Sequence, residues 1–470
     1  MLMTYMGSLK SFLYWPILHL FGANAWSVRL PMVLLGGATI FIFFRLAGMA
    51  AGRRVALLAV FLLATDPSFL MTQTFDWGPV AIEHFLLVTG CWALFKFGSR
   101  SGRLSPNWYL ILGFFLFGLA LWNKAIFSWA LAGLAAAAGV VLWPEVRRAL
   151  SMRTVALAAA AFLAGALPLV VYNARHQGAT LRQNVRLEPQ AIPGKWTQVE
   201  AVLQGQSLFG YIVAEEWAAP AKPPSSRHGR IAVWIRENLG AHYRSGFYYV
   251  FLALLIFGVR WWWESRAARF SLVFMGVSWL LMAVTVDAGA SAHHVILLWP
   301  FPILFAAAAL TSLPWKPIGV AVTGAVVIMN LLVVNQYISQ FERFGAWDSF
   351  TDAIYPLAGS LEGSTDTIYV TDWGIFDSLH LLRQGHLKLR IVSGSLTSDA
   401  PSPDEQKEIR EMLADPSALL VSHVREREVF PNIGKHLEAY AAEAGLKMQK
   451  VNQVGDSNGR PIFEIFRLSR

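Results

Sequence analysis

A polytopic α-helical membrane protein ending in a soluble α/β domain is the fold class that this sequence predicts, and three observations carry it. Of its 470 residues 55% are hydrophobic and only 15% charged, with a mean hydropathy of +0.45, whereas a soluble globular chain has about 25% charged residues. Apolar runs long enough to cross about 30 Å of hydrocarbon recur at 29–48, 54–73, 79–97, 108–125, 126–143, 154–172, 246–260, 270–287, 294–313 and 316–336. From about residue 340 the composition turns polar, and the apolar residues fall into short strand and helix patterns. These features exclude disordered, coiled-coil and collagen-like chains. The single cysteine, Cys91, rules out an intrachain disulfide.

The elements follow in chain order. Residues 12–21, interrupted by Pro16 and His19 and preceded by Lys10, read as an interfacial helix on an outer juxtamembrane segment, 1–28. The ten apolar runs read as about ten transmembrane helices in a membrane domain over 29–339. One set of short loops carries Arg45, Arg53, Arg54, Lys96, Arg100, Arg103, Arg147, Arg148, Arg153, Arg260, Arg266, Arg269 and Lys316, and the opposite set carries only Lys124. This asymmetry puts the first set in the cytoplasm. The net charge of +9 is therefore largely topological, and no nucleic-acid partner is expected.

The N-terminus, the loop after residue 73, the loop at 288–293, the segment 173–245 and everything past 337 then lie outside an inner (cell) membrane. Within 173–245, Trp196, Val199, Leu203 and Phe209–Ile212 mark one amphipathic helix, and Ile231, Trp234, Ile235 and Leu239 another. A proline-rich breaker at 219–226 separates them. The tail, 340–470, reads as a small Rossmann-like extracytoplasmic domain with strands at Thr367–Val370, 387–392 and 418–422. Ser402-Pro-Asp-Glu405 is a capping box that opens a helix through Met412, and 456–459 is a hairpin turn. No glycine-rich phosphate loop accompanies the strands.

Ionisable groups at membrane depth are costly, about 2.5–3.5 kcal/mol for an acid at a helix centre, so their placement points to chemistry. The outer ends of the spans collect Asp66, Asp76, Glu83, His84, Asn123, Lys124, Asp287, His293 and His294. Asp76 lies in Thr74-Phe-Asp-Trp-Gly-Pro79 and either caps the following helix or acts in catalysis. Glu83 is solvated near the headgroups or functional. Asp66, followed by Pro67, lines a polar cavity or pairs with a neighbour. His293 and His294 are adjacent, point about 100° apart on a helix, and suit hydrogen bonding to headgroups or substrate better than a shared metal. Lys10, Arg29 and Lys124 are cations on the side that normally lacks them, and they either hold a lipid phosphate or snorkel to the interface.

The segments Gly7-Ser-Leu-Lys-Ser-Phe-Leu-Tyr14, Leu20-Phe-Gly-Ala-Asn-Ala-Trp-Ser-Val-Arg-Leu-Pro31 and Leu62-Leu-Ala-Thr-Asp-Pro-Ser-Phe69, with His294-Val-Ile-Leu-Leu-Trp-Pro-Phe-Pro302 later, resemble GT-C glycosyltransferases. The resemblance is to glycosyltransferase family 39 and its relatives, the protein O-mannosyltransferases and the lipid A aminoarabinose transferase. It implies a polyprenyl-phosphate-linked sugar as donor and a lipid, glycan or protein as acceptor. By the same resemblance, Lys10 falls where the family contacts the lipid phosphate, Arg29 matches an arginine of an RLP-like motif, and Lys124 falls near a lysine at the outer end of a later span. Asp76 matches the acid of the second outer loop. The family's own acidic pair follows a first helix that this sequence does not contain, so a chain shortened at its N-terminus is expected. No cofactor is assigned, with a divalent cation held by Asp76 left as an option.

The expected activity is inverting sugar transfer from a polyprenyl phosphate to an acceptor at the outer face. A non-catalytic assembly subunit and a lipid-linked-sugar transporter or flippase are the alternatives. A topology reporter fused after Gln336 is expected to register the exterior and one at Gly102 the cytoplasm, and a cytoplasmic signal at Gln336 would overturn the sidedness.

Overall fold

All ten apolar runs become helical in the computed structural model, which describes residues 4–75, 77–99 and 105–470. Asp76 and the inner-loop cations Arg100 and Arg103 lie outside the described residues. Five single helices are long and apolar enough to span a bilayer: Ala25–Ala51, Val80–Ser99, Met152–Arg175, Arg266–Val284 and Lys316–Phe344. Three more are bent pairs: Arg53–Thr65 with Pro67–Thr74 at 58°, Phe127–Val141 with Trp143–Ala149 at 100°, and Ala292–Leu298 with Phe301–Ser312 at 44°. The helices Pro106–Asn123 and Phe247–Phe257 occupy the remaining two positions. Leu34, Phe41, Phe61, Leu163, Leu280 and Ile328 are exposed on these helices, the surface expected of a chain solvated by lipid rather than water.

The first bend has a local cause. Pro67 brings no N–H and pushes Asp66 out of the helical region, to φ −59° and ψ 118°. Asp66 Oδ1 then accepts the Phe69 N–H at 2.7 Å and caps the second segment. Elsewhere the packing depends on small residues. A Cβ on Gly118 would come within 2.1 Å of the Phe162 carbonyl oxygen, and one on Gly165 within 2.3 Å of the Phe115 carbonyl oxygen. The helices Pro106–Asn123 and Met152–Arg175 thus meet backbone to backbone at a reciprocal glycine contact, the means by which lipid-embedded helices gain van der Waals area.

The chain divides into two compact units. The first comprises Met1–Ser207 and His242–Val334, and the second Leu208–Ala241 and Asn335–Arg470. The second half of the segment 173–245 therefore joins the tail, a division that differs from the boundary read at residue 340. Its bonds explain why. The Asn335 side chain donates to the Ala232 carbonyl at 3.0 Å, Glu342 accepts from the Ser225 N–H and the Ser226 hydroxyl, and the Lys222 N–H donates to the Arg343 carbonyl. Helix Arg227–Leu239 buries Gly229, Ala232 and Val233 and leaves Ile231, Trp234 and Leu239 exposed, so its apolar face is free to meet a membrane interface.

The tail forms a five-stranded sheet from β1 (Thr367–Val370), β2 (Lys388–Ile391), β3 (Ala418–His423), β4 (Lys447–Gly455) and β5 (Pro461–Ser469), in the order β2-β1-β3-β5-β4. β1 pairs parallel with both β2 and β3, in register Thr367↔Lys388 and Thr367↔Ala418. β5 pairs antiparallel with β3, and β4 with β5. The Rossmann-like expectation therefore holds for the parallel half only. The 456–459 turn folds the last two strands into a hairpin, whose strands are necessarily antiparallel to each other, and β5 joins β3 antiparallel as well. The capping box forms in both directions, with Ser402 N–H to Glu405 Oε2 at 2.7 Å and Glu405 N–H to Ser402 Oγ at 3.4 Å.

Apolar residues cover both sheet faces, Ile368, Val370, Leu379 and Ile465 on one side and Tyr369, Leu420, Met412 and Leu437 on the other. Beyond the strand ends Asp372 and His423 form a fully buried pair, His423 Nδ1 to Asp372 Oδ2 at 2.8 Å. Burial opposes the charged carboxylate, but His423 and the N–H groups of Val429 and Trp373 outweigh it, so Asp372 titrates below the usual carboxylate range.

Gly118→Val is expected to lower the thermal stability of the detergent-solubilised chain by about 1–3 kcal/mol or more, the usual cost of overpacking. Gly139→Val, where an added Cβ meets nothing within 4 Å, should leave the melting temperature unchanged.

Candidate functional site

The N-terminal segment folds back in a short extended pairing along the end of helix Pro106–Asn123. Met6 bridges antiparallel to Lys124, with Gly7 N–H to the Asn123 carbonyl at 3.1 Å and Ala125 N–H to the Tyr5 carbonyl at 2.8 Å. Gly7 permits the approach, since a Cβ there would lie 1.9 Å from the Trp122 carbonyl oxygen. Helix Leu9–Phe21 starts two residues later, which holds Lys10 one turn beyond the pairing. Its Nζ lies 5.4 Å from the Tyr14 ring centroid, and Phe12 packs against Trp122 at 6.0 Å. The segment also contacts the outer segment 173–245, where Asn184 donates to the Thr4 hydroxyl at 3.0 Å.

Beneath this pairing lies a buried polar group. Asn123 Nδ2 donates to the Pro79 carbonyl and to Glu83 Oε1, both at 3.2 Å. Glu83 is 1% exposed and Lys124 3%, and the Lys124 charge acts on Glu83, His293 and His294. Glu83 Oε2 has no hydrogen-bond partner among the described residues. Glu83 is thus held inside the protein beside a cation rather than solvated at the headgroups, because Asn123 and Lys124 offset the cost of removing it from water.

The loop before helix Phe301–Ser312 supplies the opposite wall. His293 packs at a tilt against Trp77 at 5.3 Å and edge-on against His294 at 4.2 Å between ring centroids. The Ser291 hydroxyl bonds His293 Nδ1 at 2.8 Å, and His294 Nδ1 bonds the Asp287 carbonyl at 3.1 Å. The contact of Trp77 with His293 brings the second outer loop, the one that carries Asp76, to these histidines. Arg29 is exposed and lies over the Phe75 ring at 5.5 Å, on the other flank of that loop.

Two candidate cavity residues have structural occupations. The Asp66 carboxylate is the helix cap described above. His84, fully buried, bonds Gln73 Nε2 through Nδ1 at 2.8 Å and the Ile296 carbonyl through Nε2 at 2.7 Å. Both ring nitrogens are used, so His84 cross-links three segments and keeps no nitrogen for a substrate. The spacing of His84 in an apolar run could not show this, because its partners are 11 and 212 residues away in sequence.

Lys195 is a residue that pattern reading missed. Only 3% exposed, it donates to the carbonyls of Met282 at 3.4 Å and Ala283 at 3.1 Å and to that of Thr285, at the C-terminal end of helix Arg266–Val284. A cation is favoured at that end of a helix dipole. Burial lowers its pKa, while Glu188 and Asp287 nearby act in the other direction. Lys195 thereby fixes the start of the loop that presents His293 and His294. No group of three or more His, Cys, Asp or Glu side chains placed to hold a metal occurs among the described residues, so no step is assigned to a metal here.

With this geometry, comparison with known proteins is informative. Residues 8–172 match a family model described as dolichyl-phosphate-mannose-protein mannosyltransferase. Among solved structures, ArnT from Cupriavidus metallidurans bound to undecaprenyl phosphate superposes with a TM-score of 0.57 at 13% identity, covering 98% of this chain and 88% of that one. The chain adopts the GT-C fold. The apo form of the same ArnT also gives a TM-score of 0.57, with 97% of this chain and 86% of that one covered at 13% identity. The apo oligosaccharyltransferase of Archaeoglobus fulgidus gives 0.51 at 13% identity, over 97% of this chain and 66% of that one. No curated protein matches by sequence. The matched region holds Lys10, Arg29, Asp66, Glu83, His84 and Lys124, so the part of the GT-C chain related to glycosyltransferases is the part that builds this polar cluster. It is an integral membrane protein.

Lys195→Met is expected to leave three carbonyls at a helix end without their donor and to cost about 1–3 kcal/mol of stability. Hydrogen exchange should accelerate selectively at amides 286–295. Unchanged protection there would remove the positioning role.

Proposed function

We propose that the chain is a glycosyltransferase that moves a sugar from a polyprenyl-phosphate donor to an acceptor hydroxyl or amine at the outer face of the inner membrane, with inversion. The observation that carries this reading is the pairing of 5–7 with 123–125, which ties the segment leading to Lys10 to Lys124 and to Asn123, the hydrogen-bond partner of Glu83. The match of residues 8–172 to a polyprenyl-type mannosyltransferase family, and the undecaprenyl phosphate bound by the structurally similar ArnT, support the donor class.

The mechanism follows from the chemistry of a phosphate leaving group. The acceptor loses its proton to a carboxylate and attacks the sugar C1 from the face opposite the phosphate. The acceptor–C1 bond forms as the C1–oxygen bond to the phosphate breaks, and the lipid phosphate departs carrying the electron pair. Lys10 receives that charge, with Arg29 on the exposed flank assisting. Asp76, in the loop that Trp77 ties to His293, is the acceptor-side carboxylate and the base. The buried Glu83–Lys124 pair keeps the floor of the site polar without offering a free charge. The second unit lies outside the membrane in this reading.

Reconstituted in lipid vesicles with polyprenyl-phosphate sugars as donors, Lys10→Ala is expected to reduce transfer about a hundredfold, whereas the inner-face variant Lys316→Ala keeps it. Asp76→Asn should lose about a hundredfold or more while donor binding and expression persist. Asn caps a helix about as well as Asp, so full transfer by Asp76→Asn would reduce the residue to a cap and overturn its assignment.

A further inference from the structure

The second unit contains a cavity that the transfer mechanism does not use. It has a volume of about 300 Å³ and is walled by Tyr211, Trp347, Phe350, Trp373 and Phe430, with Ser349 among them. Its place in the fold is distinctive. From β1 the chain goes to β2 on one side and then returns across to β3 on the other. The segments leaving the C-terminal ends of β1 and β3 diverge there, the position at which open α/β sheets form ligand crevices. Trp373 follows β1 by three residues, and Val429 and Phe430 lie in the segment after β3.

The walls are held in place before any ligand arrives. Asp372, 2% exposed, accepts the N–H groups of Trp373 at 2.7 Å, Val429 at 2.9 Å and Phe430 at 3.3 Å, and its Oδ2 is hydrogen-bonded to His423 Nδ1 at 2.8 Å. One buried carboxylate therefore sets the backbone of three lining residues. Asp348, between Trp347 and Ser349, is ion-paired with Arg427 and Arg460. The Trp347 N–H donates to the Ile212 carbonyl at 2.8 Å, which fixes the turn that carries Tyr211 against it. Despite this support the rings present open faces: Trp373 is 47% exposed, Tyr211 42% and Phe350 37%.

The chemistry of the wall selects the class of occupant. No lining residue is charged, which disfavours phosphate, carboxylate and cationic ligands. Val429 is the one aliphatic side chain in the wall, whereas an acyl chain is matched by branched aliphatic surface. Open indole and phenol faces with a hydroxyl beside them suit a neutral molecule that has a flat C–H face and a polar rim. We propose that this cavity is a saccharide-binding pocket, in which a sugar ring of the acceptor stacks on Trp373 and its aromatic neighbours. Calling the bound sugar the acceptor's rests on the transferase reading, whereas the pocket itself does not.

The test uses the full chain in nanodiscs, with cellobiose, maltose and N,N′-diacetylchitobiose as probes and calorimetry as the readout. At least one probe should bind saturably. Trp373→Ala should weaken it about tenfold, as expected for loss of an aromatic platform, and Trp373→Tyr should retain most of the affinity. Trp234→Ala, an exposed tryptophan outside the cavity, should change nothing. Absence of saturable binding by all three probes, or equal loss in Trp234→Ala, overturns the proposal, as does quenching of Trp373 by brominated acyl chains. Saccharide binding without sugar transfer from any polyprenyl-phosphate donor would sink the transferase reading and leave the pocket. Transfer with no saccharide binding would do the reverse.

Discussion

A charge or a backbone polar group removed from water must find its partner inside the protein, and in hydrocarbon there is no alternative donor or acceptor to substitute. The first unit is organised around that requirement. Its spans are helices because only helices satisfy their own backbone, and the polar side chains they carry at the outer ends appear in matched sets. Glu83 has Asn123 and Lys124, His84 has Gln73 and the Ile296 carbonyl, and Lys195 has the carbonyls at the end of helix Arg266–Val284. Each set joins segments distant in sequence, so satisfying the polar groups is also what brings the functional loops together.

The cations divide along the same line. Lys124 and Lys195 are buried and committed to internal partners, whereas Arg29 is exposed beside the second outer loop and Lys10 is half-buried on the helix that follows the N-terminal pairing. Three cations that sequence position treats alike thus differ in burial, with Lys124 enclosed, Lys10 half-buried and Arg29 exposed.

The second unit meets the same physics with water available. Its sheet is covered by apolar residues on both faces, and a fully buried polar pair, Asp372 with His423, sits where the parallel strands end. The pair organises a loop rather than a core. The aromatic side chains around it stay open to solvent while their backbones are fixed, which is the combination a binding surface needs and a hydrophobic core does not.

Membrane class, the ten helical positions, the capping box at Ser402, three strands and the hairpin turn at 456–459 were legible in the sequence, because each is set by local composition or by spacing within one element. The resemblance of the opening segments also anticipated the GT-C fold. Other features depended on contacts across the chain. Whether Asp66 lines a cavity or caps a helix is decided by the turn that Pro67 imposes, and whether His84 is free is decided by a carbonyl 212 residues away. The pairing of the C-terminal hairpin with β3, the passage of Leu208–Ala241 into the second unit and the buried work of Lys195 are likewise invisible to periodicity. Spacing reports which face a side chain occupies, but the partner that settles its charge comes from another element, and only the folded arrangement supplies it.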